Sequence, residues 1–189
     1  MSSRLRHFAL FALLTCGFAS AADRPSCVAA PNPPKLPVTR PSGRMAAVGS
    51  LKVLFLAGLA DTWKSGRREI AAVPAGTTVE VTEDLIVVDA PDVVWVSTSI
   101  DELHVKPGDT ILRYARLGEG WADMWIDGCW YKDADGGFIT EPDGGGCGGS
   151  SCAARVTKLG RQMWWFHVRL PDGKTGWMLS QSLDLSAGG

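Results

Sequence analysis

The chain is predicted to be all-β, on three observations. From Val73 onward apolar residues recur at every second position or in runs of four, the patterns of strands covered on one face or on both. The stretch Trp164 to Trp177 reads as a β-hairpin: an aromatic and branched strand, a Pro171-Asp172-Gly173 turn, and a second strand ending on tryptophan. The composition, 22 glycines and 8 tryptophans in 189 residues with no long helical periodicity, suits a turn-rich β protein.

In chain order, Arg4, Arg6 and His7 precede an apolar stretch from Phe8 to Gly17, and Ala19-Ser20-Ala21 supplies an A-x-A cleavage signature. Residues 1–21 therefore read as a secretory signal peptide, which predicts an exported protein, periplasmic or secreted. That apolar stretch is far short of the ~20 residues a spanning helix needs, so no membrane span is expected in the mature chain. A lipoprotein anchor on Cys16 competes, but Thr15 stands where a small residue is usual. Loss of Arg4 and Arg6 takes Lys+Arg from 19 to 17 against 20 Asp+Glu, a balance of about −3. With no basic run and no recognition motif, a nucleic-acid partner is not expected.

Residues 22–44, with Pro31-Asn32-Pro33-Pro34 and Pro37, predict an extended and flexible proline-rich arm. Residues 45–102 are expected to form a β-rich extension or small subdomain. Within it Met45 to Ala60 suits either strand or helix: Lys52 to Leu56 resembles a strand, Ala57 to Trp63 suits a helical turn, and Gly66 to Glu69 is a polar connection. Pro74-Ala75-Gly76 is a turn, Thr77 to Thr82 alternates, and the apolar runs Leu85–Val88 and Val93–Val96 suit strands covered on both faces. Leu103 to Tyr114 carries a turn feeding a strand. Glu119 to Trp130 is a second hairpin with an Asp127-Gly128 turn, and residues 133–151 predict a long glycine-rich loop.

Five cysteines become four without Cys16, and an even number in an exported chain argues for two disulfides with three possible connectivities. Cys147 and Cys152 bracket a short flexible linker and are the favoured pair, which leaves Cys27 with Cys129. The second bond would close a loop of about a hundred residues, worth ~4 kcal/mol by chain entropy. A zinc site would want C-x2-C or histidines at ligand spacing, so no metal is expected.

Two elements carry a resemblance. The strand Trp164-Trp165-Phe166-His167-Val168, the turn Asp172-Gly173-Lys174-Thr175-Gly176 and the final Trp177 resemble the closing hairpin of bacterial SH3-like (SH3b-type) barrels, and Lys106-Pro107-Gly108-Asp109-Thr110 resembles the turn opening their second strand. The likeness covers about residues 103–185 and implies a small SH3-like barrel with additional N-terminal strands. Such barrels recognise peptides, often of the cell wall, through an aromatic-lined groove, so it also implies a binding role.

Strand parity sorts the candidate contact residues. Trp164, Phe166, Val168 and Leu170 share one face and predict core, while Trp165, His167 and Arg169 share the other and are expected to face water or a ligand. In the second hairpin Trp121, Asp123, Trp125 and Asp127 fall opposite Ala122, Met124 and Ile126. The expected ligand-binding set is therefore Trp121, Trp125, Trp165, His167 and Arg169. The competing reading is that these tryptophans cap barrel ends or pack beneath the long loop. No catalytic residue is expected: residues 148–152 do not make a G-x-S-x-G elbow, and His167 has no partner pattern. Asp133-Ala134-Asp135-Gly136 resembles a calcium loop only superficially, since Tyr131 and Pro142 stand where the EF-hand template needs Asp and Glu. The reading is a non-catalytic envelope module without cofactor, binding a peptide, peptidoglycan or an envelope protein. A cell-wall hydrolase or accessory subunit, and a structural or inhibitory partner protein, are the alternatives.

Overall fold

The computed structural model describes residues 26–42, 49–118, 120–147 and 152–188. The predicted leader over 1–21, with Cys16, lies outside the described residues, as do 148–151 between Cys147 and Cys152. The chain is all-β, and its described strands form two seven-stranded sheets. Sheet A runs in the order β1 (Val28–Ala29), β10 (Cys129–Asp135), β9 (Trp121–Ile126), β8 (Thr110–Gly118), β7 (Asp92–Val96), β12 (Ala154–Lys158) and β11 (Ile139–Thr140). Sheet B runs β2 (Val38–Arg40), β6 (Thr78–Ala90), β13 (Arg161–Arg169), β14 (Thr175–Leu179), β4 (Ala57–Ala60) and β5 (Glu69–Val73), with β3 (Ser50–Lys52) also on β6. Pairing is antiparallel except between β11 and β12.

Along its described strands the chain crosses between the sheets three times, from β1 to β2, from β6 to β7 and from β12 to β13, and the last two crossings meet at one corner. Residues 85–96, expected to hold two separate strands, become the end of β6 and all of β7, parted by Pro91, which has no N–H to give a ladder. The return crossing, from β12 to β13, passes directly over it at Gly160, whose amide donates to Asp92 Oδ1 at 2.7 Å. A Cβ on Gly160 would overlap the Ala90 carbonyl oxygen and the Pro91 carbonyl carbon, both main chain that no rotamer change can move aside. Gly160→Ala is expected to cost about 1–3 kcal/mol through overpacking, read as a lower midpoint in urea unfolding. An unchanged midpoint would mean that the corner relaxes freely.

A bulge explains why β6 is apolar on both faces. His167 pairs with Glu83 but Val168 with Val81, so Thr82 is the extra residue. Before it Val79 and Val81 point into the core of sheet B with Phe166, Val168 and Met178. After it the parity inverts: Ile86 and Val88 pack between the sheets with Tyr114 and Ala115, while Leu85 and Val87 lie on the far face with Trp165. Sheet A has its own core around Val94, Ile111, Met124 and Ile139. Both predicted hairpins form, and Asp127 and Gly128, at φ 39° and 85°, make the tight two-residue turn of the β9–β10 pair.

Both favoured disulfides are present, Cys27–Cys129 and Cys147–Cys152, with Cα separations of 5.2 and 5.3 Å. Several expectations are corrected. The described part of the proline-rich arm is not a free linker, because β1 pairs with β10 and β2 with β6. Leu54, Phe55 and Leu56 are exposed and outside any strand, whereas Ala57–Ala60 is a strand and not a helical turn. The 133–151 loop is shorter than expected, since Cys129–Asp135 extends into it and Ile139–Thr140 pairs with β12. A boundary at 102/103 does not follow the sheets: β3 to β6 share sheet B with β13 and β14, held by the thirteen-residue β6. Among the described residues, no helix is long and apolar enough to cross a membrane.

Candidate functional site

The far face of sheet B is an aromatic stripe. Trp165 of β13 pairs with Leu85 on one side and Leu179 on the other, and His167 pairs with Trp177, so strand parity stacks these side chains on one surface. Sequence parity predicts that this face meets water. At Trp165 it does not, for the residue is only 3% exposed. The cover comes in part from the β4–β5 hairpin, whose half-buried Trp63 packs against the buried cluster of Leu85, Val87 and Trp165, as do Met163, Trp177 and Leu179. The hairpin's shape is set by Asp61, which accepts the Arg68 amide at 2.9 Å and its guanidinium Nε at 3.2 Å. The amide first, and then the guanidinium, hold the Asp61 carboxyl below its ordinary pKa despite some desolvation.

Arg67, on the same hairpin, places its guanidinium 5.0 Å from the ring centre of Trp165. It borders two clefts. One, of about 450 Å³, is lined chiefly by Pro37, Trp63, Val87 and Met163, with Lys64 and Arg67 at its rim. The other, of about 280 Å³, lies between Leu59, Glu69, Ser182 and Trp165. Among the described residues neither Lys64 nor Arg67 has a carboxylate partner, and each rests against a tryptophan ring instead. The indole N–H groups of Trp164 and Trp165 are buried without an acceptor among the described residues. An unmet buried donor costs ~1–3 kcal/mol, so Trp165 adds an unfulfilled bond to a face already bordered by clefts.

The remaining predicted residues are dispersed. His167 lies at the edge of the stripe, its ring 5.1 Å from that of Trp177 and its Nδ1 2.7 Å from Thr82 Oγ1. Arg169 is exposed and pairs with Glu80 at 3.0 Å. Trp125, on sheet A, is half-buried among the residues between the sheets and donates its indole N–H to the Ala30 carbonyl at 2.8 Å. Its neighbour Asp123, expected to face outward, is buried beneath Arg40, which also binds Asp133. The five residues therefore do not make one surface, because Trp121 and Trp125 belong to sheet A and the other three to sheet B.

Trp121 is 44% exposed and borders a third cleft, of about 360 Å³, with Arg113, Arg116 and Glu141. Its floor is an ion network in which Arg113 donates through Nε to Asp92 at 2.8 Å and through Nη1 and Nη2 to Glu141 at 2.5 and 3.0 Å. Burial opposes the charge of Arg113, but the Glu141 bonds and the field of Asp92 outweigh it, leaving the guanidinium pKa raised. These charges are already satisfied by one another.

Sequence reasoning missed Trp63, Lys64, Arg67 and Trp177 as members of the aromatic face. A usable signal was present: Trp63 and Lys64, with Arg67 and Arg68, put an aromatic among cations in a segment otherwise typical of a solvated turn. Among the described residues, no group of three or more His, Cys, Asp or Glu is placed to hold a metal ion. Comparison of the chain with protein-family models, with curated proteins and with solved structures finds no match in any of the three.

Proposed function

We propose that this chain is a non-catalytic binding module of the bacterial envelope that recognises a peptide or cell-wall component on the aromatic face of sheet B. The observation that carries the reading is Arg67, an exposed guanidinium stacked on Trp165 between two clefts with no acidic partner among the described residues. Aromatic side chains beside arginine are the usual composition of a contact surface whose energy is concentrated in a few residues. The SH3-like character of the β13–β14 hairpin supports the same reading, since the likeness implies an aromatic-lined groove. Export is supported by the leader-like residues 1–21 and by two disulfides, bonds that persist in oxidising compartments.

The test is sedimentation of the purified, oxidised chain with intact peptidoglycan sacculi, beside Trp63→Ala and Trp121→Ala. The expected result is retention of the unaltered chain and of Trp121→Ala, with retention of Trp63→Ala weakened roughly tenfold, as for loss of a central aromatic contact. Loss in Trp121→Ala alone would move the site to the sheet A cleft. No retention of the unaltered chain would overturn the cell-wall reading. It would favour the second reading, a partner protein of the envelope, for which the exposed run Leu54-Phe55-Leu56 is the supporting observation.

A further inference from the structure

Resting on the binding reading above, we infer that the ligand group taken by the Trp63 cleft is a carboxylate carried on an apolar body. Two kinds of lining set this chemistry. The walls are apolar: Pro37, Trp63, Val87 and Met163 offer carbon surface but little hydrogen bonding. The rim is cationic: Lys64 and Arg67 come from the one hairpin that roofs the cleft, and both are exposed. Their charges stand out because the neighbouring arginines are engaged. Arg68 binds Asp61 at 3.2 Å, and Arg161 binds Asp89 at 3.1 Å, which also neutralises the one carboxylate lining this cleft. Glu69 borders the cleft on the other side of Arg67, and Glu83 stands farther along the same face, in register with His167 and outside the lining of the Trp63 cleft.

An apolar slot beneath two uncompensated cations excludes two ligand classes by elementary energetics. A cation would meet like charge at the rim, and a fully hydrated polyol would lose water to walls that return few hydrogen bonds, Ser65 being the one hydroxyl among the lining residues. A carboxylate attached to a ring or branched chain satisfies both parts. Its carbon body enters the slot, and its oxygens lie at the rim, where a guanidinium binds them in a planar two-point contact. Arg67 rests only on an aromatic face, so it can turn toward a ligand without breaking an ion pair among the described residues. The volume of about 450 Å³ accommodates one large side chain with its terminal carboxylate.

The test uses a matched pair of probes, N-acetyl-phenylalanine and its neutral amide, titrated into the full oxidised chain and followed by the indole N–H resonances in nitrogen-resolved NMR. The expected result is a shift of the Trp63 resonance with both probes and an affinity roughly tenfold higher for the carboxylate, as charge-assisted bonds are stronger than neutral ones. In Arg67→Ala, an exposed substitution, that preference should fall to about twofold or less, and Lys64→Gln should reduce it in part. Equal affinity for the two probes overturns the inference, as does a preference that survives in Arg67→Ala. The sacculus experiment separates the two levels. Retention on sacculi without a carboxylate preference removes this inference and leaves the binding module. Failure of both sacculi and probes removes both.

Discussion

Arg113→Met is expected to destabilise the fold by about 3–5 kcal/mol, the cost of leaving a buried charge without its partner. Arg113 is 5% exposed and Asp92 3%, so neither has water to fall back on. Asp92 binds Arg113 through Oδ2 and the Gly160 amide through Oδ1, at the point where the β6–β7 and β12–β13 crossings meet. Removing the guanidinium leaves that buried carboxylate with only the more distant and half-exposed Arg116, at 3.8 Å, as counter-charge, and releases Glu141, which lines the Trp121 cleft. The diagnostic is a double-mutant cycle in urea unfolding. Asp92→Asn in the Arg113→Met background should recover about 1 kcal/mol or more, at roughly the lower bound for coupled buried charges, because the unpaired charge is gone. Strict additivity of the two costs would show that the pair is not coupled. The result also bears on the corner, since Gly160→Ala disturbs the same junction through packing alone.

Loss of the Cys27–Cys129 bond, as Cys27→Ser with Cys129→Ser, is expected to cost about 4–5 kcal/mol by chain entropy, against about 2 kcal/mol for the Cys147–Cys152 pair. The two bonds differ in sequence separation, 102 residues against 5, and the unfolded chain loses more freedom when the longer loop is closed. The long-range bond also secures a strand that has little else. β1 is two exposed residues paired to the edge of sheet A, and its other described anchors are the Trp125 indole bond to Ala30 and the Ala30 amide bond to Gly128. Unfolding in urea, with and without reductant, checks the order. Equal costs for the two pairs would mean that native contacts, and not loop closure, set their worth. After reduction, the N-terminal segment should become accessible to protease before the β13–β14 hairpin does, because β13 and β14 lie between β6 and β4.

Much of the fold was legible in single segments. The Asp127-Gly128 and Pro171-Asp172-Gly173 turns are local chemistry, and both place their strands as read. The four-residue apolar run Leu85–Val88 marked a strand covered on both faces, and its residues are buried in alternation on opposite sides of sheet B; in Val93–Val96 only the face of Val94 and Val96 is buried, and Trp95 is 38% exposed. The pairing of four cysteines also followed from spacing. The candidate site was only half legible. Parity correctly put Trp165 and His167 on one face, but parity orders side chains relative to a strand and does not say what covers them. The cover is a hairpin about a hundred residues earlier, and only the pairing of β4 with β14 brings it there.

By itself, then, the sequence determined the all-β class, the two tight hairpins, the disulfide framework and the division of β13 into two faces, because each depends on neighbours in the chain or on cysteine spacing. The tertiary structure alone decided that β6 and β7 leave one sheet for the other at Pro91, that Asp92 and Arg113 are buried together there, and that Trp63 and Arg67 roof Trp165. These are contacts between distant segments, fixed by strand order and by the parity inversion at Thr82, and no local pattern of residues encodes which strand will lie beside which.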